Sequence, residues 1–336
     1  MSISSFSEQH RLNLKLRPVL TGELLLARKL KNPVYVFRNG SFEIYFDEGS
    51  IPGREQIGDL IKAGQREVFV FPEDHETIKN NLQQALIKVT RSLSVGDPGE
   101  NGNKNIKLLS LNMGGLYSNP HSDELLMLQF QSTQSLSKFL IDHKKFLPAY
   151  FHSLNQENFH FTLTQPMLSS LMLISFLHST HLFNEREIEN LFLASYFKDI
   201  GFSLIPSEKY DEKNLSERDK QLFSDHADYS FKILEGRIPL SKSYLNIIKN
   251  HHFLNEKLKT LFQKKGLGNH NPDIVLGLES TLVAVFDILV AMISERPYRK
   301  SITLYQALEV IKKMMADDYP QEFRALVIFL RQFFKN

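Results

Sequence analysis

The sequence predicts an α+β protein, a small amino-terminal α/β module followed by an all-α helical bundle. Three observations carry this reading. Two alternating β-rich runs flank an Asn-Gly pair near the start, the 3.6-residue apolar period dominates beyond residue 122, and a Gly/Pro/Asn-rich stretch separates the two patterns. At 336 residues the chain is long enough for two domains.

The first element is the pair of runs in "PVYVFRNGSFEIYF", joined by Asn39–Gly40. This dipeptide tolerates the positive φ angles of a two-residue hairpin turn. A short helix follows, with Ile57, Leu60 and Ile61 on one face and Gly64 as its stop signal, and "EVFVF" reads as a third strand. From Asp74 a helix carries Ile78, Leu82, Ala85, Leu86, Val89 and Leu93 in a stripe suited to packing or to a dimer contact. It runs into "SVGDPGENGNKN", which reads as a linker. The expected division is therefore a module at 1–96, a linker at 97–106 and a helical domain at 107–336. Helices are predicted near 122–142, 165–182, 185–199, 216–235, 241–252, 278–294, 303–315 and 320–334.

Composition narrows the function. Forty basic against 38 acidic residues give a net charge of +2, so bulk charge does not point to a nucleic-acid polymer or a membrane surface. The absence of cysteine excludes disulfides, thiolate metal sites and cysteine nucleophiles, leaving histidines and carboxylates as the strong metal ligands. The opening residues have no apolar segment of a signal peptide, and the most apolar runs, around 167–183 and 278–293, are interrupted by polar residues. A cytoplasmic protein without a membrane span is expected.

Several polar residues stand where the pattern expects core. His226 shares one helical face with Leu222, Tyr229 and Ile233. His251 and His252 follow Leu245 and Ile248 at the inward end of the next helix, and Asp287 interrupts a helix that is apolar all round. Lys198 and Asp199 stand side by side where another buried helix ends. One such histidine is usually a hydrogen-bonded core residue, and one buried Asp is usually a paired one. Four segments each supplying an inward His or Asp point instead to a site for divalent iron, manganese or zinc. His178 and His181 sit at a helix end and read as structural, whereas His10, His75, His121, His143, His152, His160 and His270 show no convergent partner.

The order of these elements, "KDIGFSLIP", then His226, then His251–His252, then "VFDILVAMISERPYRK", resembles the HD-GYP subgroup of the HD superfamily over roughly residues 150–315. These are all-α phosphodiesterases that hydrolyse cyclic di-GMP, often preceded by a small α/β domain like that at 34–93. The resemblance implies a metal set of Asp199, His226, His251, His252 and Asp287, with Lys198, Arg296 and Arg299 as phosphate or ligand contacts. It also implies cyclic di-GMP, a signalling partner protein or both as partners, and leaves a homodimer open.

The departures from the family are as informative. Lys198 replaces the histidine before Asp199, and the histidine about 33 positions earlier falls at Gln165 or Pro166. Phe202 replaces a lysine that contacts substrate phosphate, and "HHFLNEKLKTLFQKKGLGNHNP" lacks the Gly-Tyr-Pro lid. In the family geometry the retained ligands Asp199, His226, His251 and His252 surround one metal, and the lost histidines serve the other, which Asp287 also helps to hold. Lys198 is therefore expected near the lost ion's position, neutralising Asp199 and Asp287. The expectation is a degenerate member with one divalent metal or none, acting by binding; the alternatives are a weak metal-dependent phosphodiesterase and a purely structural helical module.

Overall fold

The computed structural model describes residues 6–157, 159–254, 277–296 and 299–335. Helix α1 (Phe6–Lys15) leads into a four-stranded antiparallel sheet of order β1-β4-β2-β3, from β1 (Arg17–Leu20), β2 (Val34–Arg38), β3 (Ser41–Phe46) and β4 (Glu67–Val70). Asn39 and Gly40 take φ of 50° and 77°, the left-handed values that a two-residue hairpin turn needs. Helix α2 (Arg54–Lys62) packs its Ile57 and Leu60 onto the sheet core with Val34, Val36 and Val68. Strand β1 escapes the sequence pattern because its "RPVL" is short and has a proline at its second position, which an edge strand accommodates.

Helix α3 (Pro72–Arg91) joins the two apolar clusters. Ile78 belongs to the sheet core, while Leu82, Leu86, Val89 and Leu93 are buried in the helical core. Its stripe is thus covered within the chain by α4 (Pro98–Ser118). That helix also corrects the expected linker at 97–106. Asp97 caps it by accepting from the Glu100 amide at 2.7 Å, and Pro98 occupies the first turn, where a missing N–H costs nothing. Gly102 serves packing, since a Cβ there would overlap the Tyr150 hydroxyl on the neighbouring helix. The glycine and proline that suggest a linker are a cap and a close approach.

The bundle continues through α5 (Asp123–Asp142), α6 (Leu147–Gln156), α7 (Phe161–Thr180), α8 (Glu185–Phe197), α9 (Glu217–Leu234) and α10 (Lys242–Lys249), and then α11 (Leu278–Ile293), α12 (Leu304–Met315) and α13 (Pro320–Phe333). Two 3-10 turns, Ile200–Leu204 and Ser207–Asp211, link α8 to α9. Helices α8, α7 and α11 form the centre, where Leu171, Phe176, Phe192, Phe197, Phe286 and Leu289 are fully buried. Pro166 interrupts the first turns of α7, leaving the Thr162 carbonyl without its helical donor; the Tyr117 hydroxyl supplies one at 3.0 Å. Among the described residues no helix is long and apolar enough to cross a membrane.

Candidate metal centre

Several elements converge on one point. Helix α8 is capped by Asn184 and Glu187 and stays buried to its last turn, so the chain delivers Lys198 and Asp199 into the core rather than to solvent. The 3-10 turn that follows lies directly on α9. A Cβ on Gly201 would overlap the His226 carbonyl oxygen and come within 2.7 Å of the Ser230 amide, and the Gly201 amide donates to Ser230 Oγ at 2.8 Å. This contact also shifts the buried face of α9. The sequence pattern centres that face on Leu222, His226, Tyr229 and Ile233, but the buried residues are His226, Ala227, Ser230, Ile233 and Leu234. Helix α10 stops at Lys249, short of the expected 252, and His251 and His252 occupy the turn beyond it.

One oxygen and three ring nitrogens from Asp199, His226, His251 and His252 all lie within 4.8 Å of one another. His226 Nε2 is 3.2 Å and His251 Nε2 3.3 Å from Asp199 Oδ1, and His252 Nε2 is 3.0 Å from His226 Nε2. The tautomers follow from the other ring nitrogens. His226 Nδ1 donates to the Phe223 carbonyl and His251 Nδ1 to the Ile248 carbonyl, each at 2.6 Å, so in the neutral ring, the form that binds a metal, each Nε2 is left with its lone pair. His251 Nε2 is buried and has no hydrogen-bond donor facing it. Lone pairs of two imidazoles thus converge on a carboxylate oxygen, an arrangement that a cation resolves. Ligand bonds of about 2.0–2.1 Å at the tetrahedral angle place donor atoms about 3.3 Å apart, close to the spacing found here. The donor set fits a divalent metal.

The other face of Asp199 belongs to the lysine. Lys198 Nζ lies 2.5 Å from Asp199 Oδ2 and 2.9 Å from Asp287 Oδ1 on α11, and all three residues are buried. Burial alone would lower the ammonium's pKa, but the two carboxylates outweigh it and hold Lys198 above its ordinary value. Burial likewise would raise Asp199, yet the adjacent Lys198 charge outweighs it and keeps the carboxyl well below the usual carboxylate range. Burial pushes His252 well below its ordinary value, so it is neutral. Gln165 Nε2 donates to Asp287 Oδ1 at 2.6 Å, completing the lysine's surroundings.

Asp287 therefore stands across Lys198 from the four converging ligand atoms. Lys198 itself is fully buried between carboxylates, which corrects its expected place among the phosphate contacts. Arg296 and Arg299 do line the adjoining cleft, a cavity of about 310 Å³ walled also by Phe161, Phe202, His252 and Asp287. The Arg296 guanidinium lies 4.0 Å from the centre of the Phe161 ring, a stacking partner that nothing local in the sequence marks. Phe202 stacks on His226 with ring centres 4.2 Å apart and an apolar edge to the cleft. His160, which shows no partner in the sequence, meets Asp211 at 3.2 Å. The altered lid segment, with His270, and Pro297–Tyr298 lie outside the described residues.

The HD domain family matches residues 154–322, half of the chain and the part that carries every residue of the centre. No curated protein matches significantly. Among solved structures the chain is similar to Bd1817, an HDG"Y"P protein from Bdellovibrio bacteriovorus, at 16% identity and a TM-score of 0.62, covering 94% of this chain and 99% of that one. The likeness extends over the amino-terminal module as well as the helices, and the paired Lys198–Asp199 stands at the end of a buried helix on which the other ligands converge. The chain belongs to the HD domain family.

Proposed function

We propose that the protein is a degenerate HD-GYP-type signalling protein that binds cyclic di-GMP and acts on a partner protein with little or no hydrolysis. The carrying observation is Lys198, whose ammonium lies between Asp199 and Asp287 at 2.5 and 2.9 Å. An ammonium neutralises both carboxylates but offers no coordination site, and it cannot make a water molecule acidic as a metal ion does. A single divalent ion held by Asp199, His226, His251 and His252 would supply Lewis acidity and a docking charge for one phosphate.

The chain's own residues are suited to holding a phosphodiester. Arg296, steadied by Phe161, and Arg299 bring two guanidinium groups to the cleft, and a planar guanidinium can pair two phosphate oxygens at once. Phe202 adds an aromatic surface where a phosphate-binding lysine would otherwise extend. Nothing in this set acidifies water on the Lys198 side of Asp199. A second reading, a slow metal-dependent phosphodiesterase, is favoured by the four converging ligand atoms.

Titration calorimetry with cyclic di-GMP, paired with chromatography of the nucleotide after incubation with manganese or iron, separates the two readings. Binding without the linear dinucleotide is expected, weakened roughly tenfold or more in Arg296→Ala and in Arg299→Ala, as for lost charge-assisted hydrogen bonds. Absence of binding contradicts the proposal. Robust conversion to the linear product, abolished by His226→Ala, replaces it with the phosphodiesterase reading.

A further inference from the structure

The amino-terminal module reaches the histidine centre through one half-buried ion pair. Arg66, one residue before β4, pairs with Asp211 at the end of the second 3-10 turn, and its Nη1 donates to the Ser207 carbonyl at 3.4 Å. On its other side Asp211 Oδ1 meets His160 Nε2 at 3.2 Å. The tautomer is defined: the Thr162 amide donates to His160 Nδ1 at 3.3 Å, so the proton sits on Nε2 and is given to Asp211. Burial, with Arg66 and Arg296 nearby, lowers the His160 pKa to about 3, which keeps the ring neutral and this bond in place.

From Asp211 two arms lead to the centre. The neighbouring Tyr210 stacks on His160 at 5.9 Å, and its hydroxyl donates to the carbonyls of Phe202 at 2.6 Å and Ile205 at 3.2 Å. Its ring also packs edge-on against Phe202 and Phe223, with centres 6.1 and 6.3 Å away. These two residues orient His226, since Phe202 stacks on the imidazole and Phe223 accepts the Nδ1 proton. The second arm runs through His160, which caps α7, the helix that presents Gln165 to Asp287. The ion pair is not sealed in the core. It forms part of the wall of a cavity of about 740 Å³ between module and bundle, bordered by Thr21, Arg66, His160, Gln165, Asp211 and Arg296. The side chains of Arg66 and Asp211 remain 24% and 38% exposed, so the pair can open without unfolding either apolar cluster.

We propose that Arg66 is a positioning residue for the histidine centre, and that the Arg66–Asp211 pair is the contact through which the amino-terminal module sets the orientation of His226. With the pair closed, Tyr210 is held against Phe202 and Phe223 and the His226 ring is fixed. With it open, the turn 207–211 is released from the module and the ring loses its outer support.

The test uses the full-length chain and two readouts, the long-range ¹H–¹⁵N spectrum of the histidine rings and zinc affinity by calorimetry. Only the affinity rests on the metal-centre reading; a wild-type protein that takes no zinc sinks that reading and leaves the ring spectrum to judge this one. Arg66→Ala and Asp211→Asn should each move the His226 ring signals and weaken zinc binding about 3- to 10-fold, a magnitude usual for coupling through a packed network. The double variant should do no more than either single one, and Arg66→Lys should restore both readouts. Should Arg66→Ala fail to fold, Tyr210→Phe supplies the same test, because it keeps the ring and removes only the hydroxyl that holds Phe202. Unmoved His226 signals in folded variants, affinities within about twofold of wild type, or additive effects of Arg66→Ala and Asp211→Asn overturn the proposal.

Discussion

Replacing Lys198 with methionine removes a charge while keeping most of the buried stem. In the wild type the ammonium contacts Asp199 and Asp287 at 2.5 and 2.9 Å, with the three residues 0%, 5% and 6% exposed. Methionine leaves two carboxylates in one buried place, with Gln165 as the remaining side-chain donor to Asp287 among the described residues. Removing one partner of a buried ion pair costs about 3–5 kcal/mol. The thioether fills nearly the same volume, so packing adds less than about 1.5 kcal/mol. Lys198→Ala should cost about 2 kcal/mol more, through roughly three lost methylenes. In thermal unfolding at pH 8 the methionine variant should melt roughly 4–9 °C below wild type, since a chain of 336 residues loses about 1.4 °C per kcal/mol.

The pH dependence gives that variant a signature. In the wild type the folded Lys198 pKa is raised, so its contribution is complete below 10.5 and is lost as pH rises through the higher folded value. Asp199 is depressed, so its contribution is complete above 3.8 and is lost as pH falls through the lower folded value. Without the ammonium, burial raises the Asp199 carboxyl instead, and a bound proton can take the place of the lost charge. The deficit of Lys198→Met should therefore shrink between pH 8 and pH 5, and adding Asp287→Asn should recover part of it at pH 8. A methionine variant that melts within about 2 °C of wild type at both pH values would refute the idea that the lysine satisfies these carboxylates.

Other outcomes follow from individual contacts. Gly201→Ala places a Cβ against the His226 carbonyl and the Ser230 amide, so it should destabilise the fold by about 1–3 kcal/mol, as overpacking does, and weaken zinc binding; normal stability and affinity would show that the turn has room to move. Tyr117→Phe removes the donor to the Thr162 carbonyl freed by Pro166 and should cost about 1–3 kcal/mol in urea unfolding, against almost nothing if water replaces the hydroxyl.

The helices of the bundle were legible because each carries its own period and caps. Asn184 with Glu187, Ser216 with Asp219 and Thr303 with Gln306 mark starts that local chemistry dictates. The expected linker fails for a physical reason: Asp97–Pro98 opens a helix as readily as it opens a turn, and Gly102 is small because Tyr150 lies against it. The four converging ligands could be read as inward polar residues on apolar faces. The resemblance also places Asp287, Lys198 and Gln165 at the centre, but the bond between Gln165 and Asp287, 122 positions apart, is visible only in the packed bundle. Arg296 over Phe161, and Asp211 between Arg66 and His160, are tertiary contacts of the same kind.

The metal count per chain bears most directly on the proposal that a fixed cation has replaced one of two ions. Elemental analysis of protein exposed to excess zinc, manganese or iron and then freed of unbound ions should find one metal per chain in the wild type, none in His226→Ala or His251→Ala, and still one in Asp287→Asn, whose carboxylate belongs to the lysine side. Two metals per chain in the wild type, with one lost in Asp287→Asn, would contradict the account.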